Sequence, residues 1–298
     1  HRDQWTINQR TELVDFVPSD MKEWTRNIFY NKVVEHINAS LSDKDILIKT
    51  KVEDYAAVVE LGKDSRIYYP AMFDFLMLRA IDQFSKLETD EDLSRTLARK
   101  GISQDSLFTT AQEFANIDFK IESTDYNLWV FETYRSLLAS LIERGKYESV
   151  LLTELNLVER LSVLRNSYTT NRKTRLAKLL QKWEREPISV EVIDKIANVY
   201  HSEINNLAEA DSLLKKEKTK ELYDLLIKSI QQFPEYSRIS ILENRVSQMT
   251  SPQFNVTGNK TFQSKGDKLL SISYKNLKSL SAKLYRINSP VDAQMAQV

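Results

Sequence analysis

The side chains able to do chemistry are few, and their absences narrow the field. Cysteine does not occur, which removes disulfides, thiolate metal sites and cysteine nucleophiles together. The histidines are His1, His36 and His201. None has a partner at the His-Glu-x-x-His or a similar ligand spacing, so each is read as a surface or capping residue and no catalytic zinc centre is expected. No Gly-x-Ser-x-Gly elbow is present to expose a serine nucleophile. The five glycines stand singly, so no glycine-rich loop can cradle phosphates. The expectation is a chain with no catalytic, cofactor-binding or metal-binding residues.

The remaining candidates are charges and aromatics. Asp74 and Asp82 punctuate the most apolar helix of the chain. A buried carboxylate pair would suit acid–base work, but a satisfied polar anchor inside a helical core is the preferred reading. Asp82 follows Arg79 by three residues, the spacing of a same-face ion pair. Arg172, Lys173, Arg175 and Lys178 form one basic cluster. Lys215, Lys216, Lys218 and Lys220 form another, interrupted by Glu217. Both read as solvated helix faces. Trp5, Trp24, Trp129 and Trp183 fall at helical spacing among aliphatics and are read mostly as core.

These residues must be positioned by helices. Trp24–Leu41 carries an apolar stripe of Trp24, Ile28, Phe29, Val33, Ile37 and Leu41. A shorter helix over Val52–Leu61 is expected to end at Gly62. Pro70 is expected to open a helix through Met72, Phe73, Leu76, Met77, Ala80, Ile81 and Phe84, the buried centre of the first half. Asp105–Phe114 is weaker, and Ile117–Ile121 alternates like a short extended piece. Helices follow over Leu128–Ile142, punctuated by Gly145, then Val150–Leu164 and Arg172–Trp183. Ile193, Ile196, Ala197 and Tyr200 form one further stripe. Leu222, Leu225, Leu226, Ile230 and Phe233 form the next, closed by Pro234. An Ala-x-x-Tyr helix followed by one ending in Phe-Pro reads as a degenerate tetratricopeptide-like hairpin.

The last stretch differs. Residues 246–298 hold seven Lys+Arg, two Asp and no Glu, whereas 1–245 carry an acidic excess. Pro252 to Gly266 is rich in Ser, Thr, Asn and Gly and reads as a linker. Leu270, Ile272 and Tyr274 then alternate with polar residues, as do Leu280, Ala282 and Leu284, the strand period of two. The expected strands are 268–274 and 280–287. Two strands do not sustain a β-domain, so the expectation is the front of a longer protein: helical repeat-like domain 1–245, linker 246–266, and an incomplete β-domain 267–298. Hydrophobic content of 42% supports an ample core, and zero net charge argues against a broad nucleic-acid face. No apolar run is long enough to span a bilayer. The chain opens at His1 with no signal sequence, which is compatible with a leader removed upstream. Asn38-Ala39-Ser40, Asn255-Val256-Thr257 and Asn259-Lys260-Thr261 fit the glycosylation triplet and carry little weight.

The segment Tyr69-Pro70-Ala71-Met72-Phe73-Asp74-Phe75-Leu76-x-x-Arg79-Ala80-Ile81-Asp82-x-Phe84 resembles one in the N-terminal helical region of bacterial alpha-2-macroglobulin-like proteins, especially those of Bacteroidetes. Val190–Tyr200, with Ile230-x-x-Phe233-Pro234, is similar to that region's tetratricopeptide-like helices. Ser271–Leu277 and Ala282–Ile287 resemble the opening strands of the first macroglobulin β-sandwich. The order helical region, linker, Tyr-x-Asn, Leu-Tyr-Arg carries the likeness. It implies a mainly α region followed by the first strands of a truncated β-sandwich, in a periplasmic protease-trapping inhibitor often lipid-anchored upstream. Family members trap proteases when a bait region is cut, and many carry a Cys-x-Glu-Gln thioester. With no cysteine, this chain holds neither thioester nor lipidated residue, so the resemblance implies a non-catalytic scaffold or docking region. Its partners would be the rest of the long chain and possible protease targets, with no nucleic acid, and with a membrane only through an anchor outside the chain. Two other readings stay open: a free-standing helical adaptor for a peptide or protein, and a helical glycan-binding outer-membrane lipoprotein.

Overall fold

The computed structural model describes residues 17–62, 65–87, 92–164, 169–258, 270–281 and 283. It is mainly helical with one small antiparallel sheet. The chain divides into two compact units, residues 1–208 and 209–298. The division falls between the Ile193 stripe and the Leu222 stripe, the two helices expected to form a hairpin.

In the first unit, α1 (Arg26–Ser40) and α2 (Lys44–Lys49) lead to a one-turn α3 (Ser65–Tyr68). Thr25 starts α1 by accepting a bond from the Ile28 N–H at 3.3 Å. The helix expected over Val52–Leu61 is instead a single 3-10 turn, Val52–Tyr55, followed by turns. Its start is tied across the chain: the Val52 N–H donates to the Pro70 carbonyl, and the Met72 N–H to the Thr50 carbonyl. These bonds fix Lys51 opposite Ala71 in extended geometry. Pro70 therefore precedes α4 (Met72–Phe84) rather than occupying its first turn. Its fixed φ and lack of an N–H suit an extended lead-in equally well.

Short α5 (Leu93–Arg99) and α6 (Ala111–Ala115) follow. Gly101 ends α5 in the left-handed region at φ 72°, with the Ile102 N–H reaching back to the Leu97 carbonyl at 2.9 Å. A capping box starts α6: Thr110 accepts from the Glu113 N–H while Glu113 accepts from the Thr110 N–H. Hydrogen bonds from Thr109 and Thr110 hold the Glu113 carboxyl down at about 2. The alternating Ile117–Ile121 segment forms no strand, although Phe119 within it is fully buried.

Helices α7 (Tyr126–Glu143), α8 (Tyr147–Leu164), α9 (Thr169–Trp183) and α10 (Ser189–Asn206) complete the unit. Packed against α4, α5, α6 and α8, α7 takes the central place expected for α4. It buries Leu128, Phe131, Leu137, Leu138 and Leu141, whereas α4 turns Arg79 and Asp82 to solvent. A second apolar cluster joins Leu151, Leu155, Leu176, Leu179, Val192 and Val199 of α8, α9 and α10.

Charges lock these helices. Asp74, in the first turn of α4 and fully buried, meets Arg144 at the end of α7 through both guanidinium Nη atoms. Glu154 of α8 meets buried Arg175 of α9, with Nε at 2.6 Å. Buried Asp125, just before α7, accepts from Arg99 at 2.6 Å and from the Glu122 N–H at 2.9 Å, and Lys100 lies 2.7 Å away. Burial pushes Asp125 up, but the neighbouring Lys100, the Glu122 N–H and Arg99 outweigh it and hold the carboxyl below its ordinary value.

The second unit contains α11 (Ser212–Gln232), α12 (Ser240–Thr250), β1 (Gln253–Gly258) and β2 (Leu270–Lys275). Helix α11 packs on α12, and Leu222, Leu226 and Leu242 of the two helices are fully buried. Strand β1 lies inside the stretch expected to be linker, because Gln253-Phe254-Asn255-Val256-Thr257 alternates as strands do. Strand β2 falls where the first strand was expected. Leu280 and Ser281 are irregular, and most of the strand expected over 280–287 lies outside the described residues.

Replacing Asp74 by Ala leaves the largely buried Arg144 guanidinium without its carboxylate and is expected to cost about 3–5 kcal/mol. Asp82→Ala, at an exposed site, is expected to stay within about 0.5 kcal/mol. Urea unfolding followed by circular dichroism measures both. Equal costs for the two would disprove the locking role of Asp74.

Candidate functional site

Two features of the described residues stand apart from ordinary helix packing, one in each unit. The first is an open cleft of about 420 Å³ where α1, α2, α4 and α7 meet. Phe73 and Met77 form its floor and are themselves almost fully buried, so the cleft ends on the core. Leu41, Trp129 and Ala139 form its apolar walls, and Asn38, Lys44 and Thr133 bring polar groups to it. The Lys44 ammonium lies 5.8 Å from the centre of the Phe73 ring and 3.8 Å from Glu143.

Trp129, Glu132 and Arg135 form a ridge between this cleft and a second one of about 530 Å³, lined by residues 115–118, Lys120 and Ile121. The charges of the ridge satisfy each other. Arg135 donates through Nε to Glu132 at 2.8 Å and again through Nη2, and the Ser136 hydroxyl donates to the same carboxylate at 3.2 Å. Bonding to Glu132 holds the Arg135 guanidinium above its ordinary value, against the effect of burial. Trp129 rests against the Phe84 ring at 5.8 Å. Its buried indole N–H has no hydrogen-bond partner among the described residues, an uncommon state for a polar atom removed from water.

The second feature is the β1–β2 ribbon. Its register sets Phe254 opposite Tyr274, Val256 opposite Ile272 and Gly258 opposite Leu270 on one face. The other face pairs Gln253 with Lys275, Asn255 with Ser273 and Thr257 with Ser271. One face is thus apolar and the other wholly polar, the pattern of a sheet that packs on one side. The apolar side is nevertheless bare: Phe254 is 62% exposed and Tyr274 68% exposed, and Val256 and Ile272 are exposed as well. Asn276 anchors the ribbon to the end of α12. At φ 57° it aims its carboxamide to donate to the carbonyls of Met249 at 2.7 Å and Ser251 at 3.1 Å. That left-handed geometry is one that asparagine tolerates, and the bonds satisfy carbonyls freed at the helix end.

The residues singled out in the sequence do not come together. Asp74 is the buried anchor expected of it, but Asp82 is a surface residue paired with Lys86 at 2.7 Å, not a core anchor bound to Arg79. The cluster on α9 is a solvated face only in part: Lys173 and Lys178 are exposed, whereas Arg172 and Arg175 are not. Arg175 is buried against Glu154, Arg172 meets Glu159, and Lys173 reaches Glu203 at 2.8 Å. Lys216 and Lys220 on α11 are exposed. His36 is exposed, and His201 Nδ1 lies 3.0 Å from the Ala197 carbonyl. Trp24 donates to the Pro18 carbonyl at 2.8 Å, whereas Trp5 and His1 lie outside the described residues. No group of acids and histidines able to hold a metal occurs among the described residues. No helix there is long and apolar enough to cross a membrane.

The cleft and strand β1 were not found from the sequence, whereas β2 was. The cleft depends on Lys44 and Asn38 at a helix corner meeting residues of α4 and α7. The alternation of Phe254 and Val256 was the available signal for β1. The chain matches no protein-family model, no curated protein and no solved structure.

Exposed apolar patches drive association. Changing Phe254 and Ile272 together to Ser is expected to leave the helical unfolding midpoint unchanged and to lower the fluorescence of a bound hydrophobic dye. A shifted midpoint with unchanged dye binding would show that the apolar face is not the exposed surface.

Proposed function

We propose that this chain is the non-catalytic N-terminal scaffold or docking region of a periplasmic, alpha-2-macroglobulin-like protease-trapping inhibitor. The observation that carries this reading is the ribbon with one bare apolar face. A two-stranded ribbon is marginal alone in water. One with an apolar face is completed when a further sheet packs on that face, as in a β-sandwich. The resemblance of Tyr69–Phe84, Val190–Tyr200 and Ser271–Leu277 to the helical region and first strands of that family points the same way.

In this reading the helical units act as a spacer or docking body. The ribbon begins the first macroglobulin-type sandwich, and α11 with its neighbours belongs to the tetratricopeptide-like region. The remaining sandwiches and the bait region would be supplied by further chain, and a lipid anchor by a residue upstream. Proteases are partners of the whole protein. Asp74, Glu154 and Asp125 keep the body rigid through paired charges rather than by taking part in a reaction.

The complete native gene product provides the test. Incubated with a serine protease and separately with a metalloprotease, it is expected to suppress cleavage of a large protein substrate while a small chromogenic peptide is still cut, the sign of steric enclosure. Residues 1–298 alone are expected to do neither. Unimpaired cleavage of the large substrate by both proteases overturns the reading, as does a native reading frame that ends without further β-rich sequence.

A further inference from the structure

The α1–α2–α4–α7 cleft has a chemistry that the scaffold reading does not use. Its lining is mixed: Leu41, Phe73, Met77, Trp129 and Ala139 give it an apolar floor and part of its walls, and the rest is polar. Its polar groups divide into committed and uncommitted ones. Glu132 and Arg135 are bound to each other, and Ser136 adds to that pair. The Thr133 hydroxyl donates to the Trp129 carbonyl at 2.7 Å. Lys44 and Asn38 have no side-chain hydrogen bond among the described residues, and both come from the α1–α2 corner. The nearest carboxylate to Lys44, Glu143, is 3.8 Å away and 74% exposed, so its hold is weak and screened.

One weakly held ammonium and one carboxamide therefore stand at the edge of a cleft with an apolar floor. An ammonium only donates, and a carboxamide both donates and accepts. The complementary ligand has an apolar body and a single anionic head. A dianion would find one weakly held cation among the described residues of the cleft, because Arg135 is already neutralised. The volume, about 420 Å³, lies at the small-molecule end of natural pockets. We propose that this cleft binds an alkyl or aryl monocarboxylate, its apolar body on Leu41, Met77 and Trp129 and its carboxylate facing Lys44 and Asn38. The neighbouring cleft offers a contrast. Asp118 and Lys120 line it beside the Glu132–Arg135 pair, so its charges balance and it carries no such preference.

The test uses the whole chain labelled with carbon-13 at its methionine methyls, with Met77 assigned through Met77→Leu. Decanoate is the probe, and decylamine of equal chain length is the charge control. Decanoate is expected to shift the Met77 methyl saturably while the Met249 methyl, in the other unit, stays in place. Decylamine is expected to bind at least about tenfold more weakly, as is decanoate to Lys44→Met, the scale of one lost charge-assisted hydrogen bond. Lys120→Met is expected to leave decanoate affinity unchanged, and Asn38→Ala to lower it independently of Lys44. No saturable shift at Met77 would overturn the proposal. Equal affinity for decanoate and decylamine, or full affinity in Lys44→Met, would overturn it as well. Protease suppression by the complete protein is read separately, so failure here leaves the scaffold reading intact.

Discussion

The helical body depends on a carboxylate that cannot be left alone. Asp74 is wholly out of water in the first turn of α4. A buried charge is tolerated only when paired and hydrogen-bonded. Arg144 supplies that pairing from the end of α7 and also donates through Nε to the Ser140 carbonyl at 3.1 Å. The carboxylate sits at a helix start and the guanidinium at a helix end, where each macrodipole favours it. One ion pair thus fixes the sliding position of α4 against α7. Around α7 the remaining helices find their places, and the corner carrying Asn38 and Lys44 closes over Phe73 and Met77.

The same logic governs the other helix contacts. Glu154 with Arg175 and Asp125 with Arg99 and Lys100 each join residues distant in sequence. That distance explains what the sequence withheld. Apolar stripes at helical spacing are local, so most long helices were legible within a few residues of their ends. Asp74 was legible as a polar anchor because it interrupts an apolar run. Arg144, seventy positions away, has no local mark to name it as the partner. Asp82 stands in the same run, yet helical rotation carries it to the surface and to Lys86. Arg172, Lys173 and Arg175 looked like a solvated face because the acids that neutralise them lie on other helices. The cleft was invisible for the same reason: its walls come from four helices.

The β-ribbon shows the opposite limit. Its periodicity is local, yet β1 was read as a linker because it lies in the stretch from Pro252 to Gly266, rich in Ser, Thr, Asn and Gly. Only the pairing of Phe254 with Tyr274 and Val256 with Ile272 shows that those two residues share a face with β2. Asn276, part of the Tyr-x-Asn sequence, gains a physical role by tying the ribbon to α12. Among the described residues nothing covers the apolar face of the ribbon. That unmet burial, more than any reactive side chain, is what the proposed role as the opening of a larger β-assembly rests on.

The central claim is that this apolar face is completed by further chain. Hydrogen exchange at the Val256 and Ile272 amides, compared between residues 1–298 and the complete native product, tests it most directly. The account predicts weak protection in the shorter chain and strong protection in the complete one. Equal protection in both would contradict it.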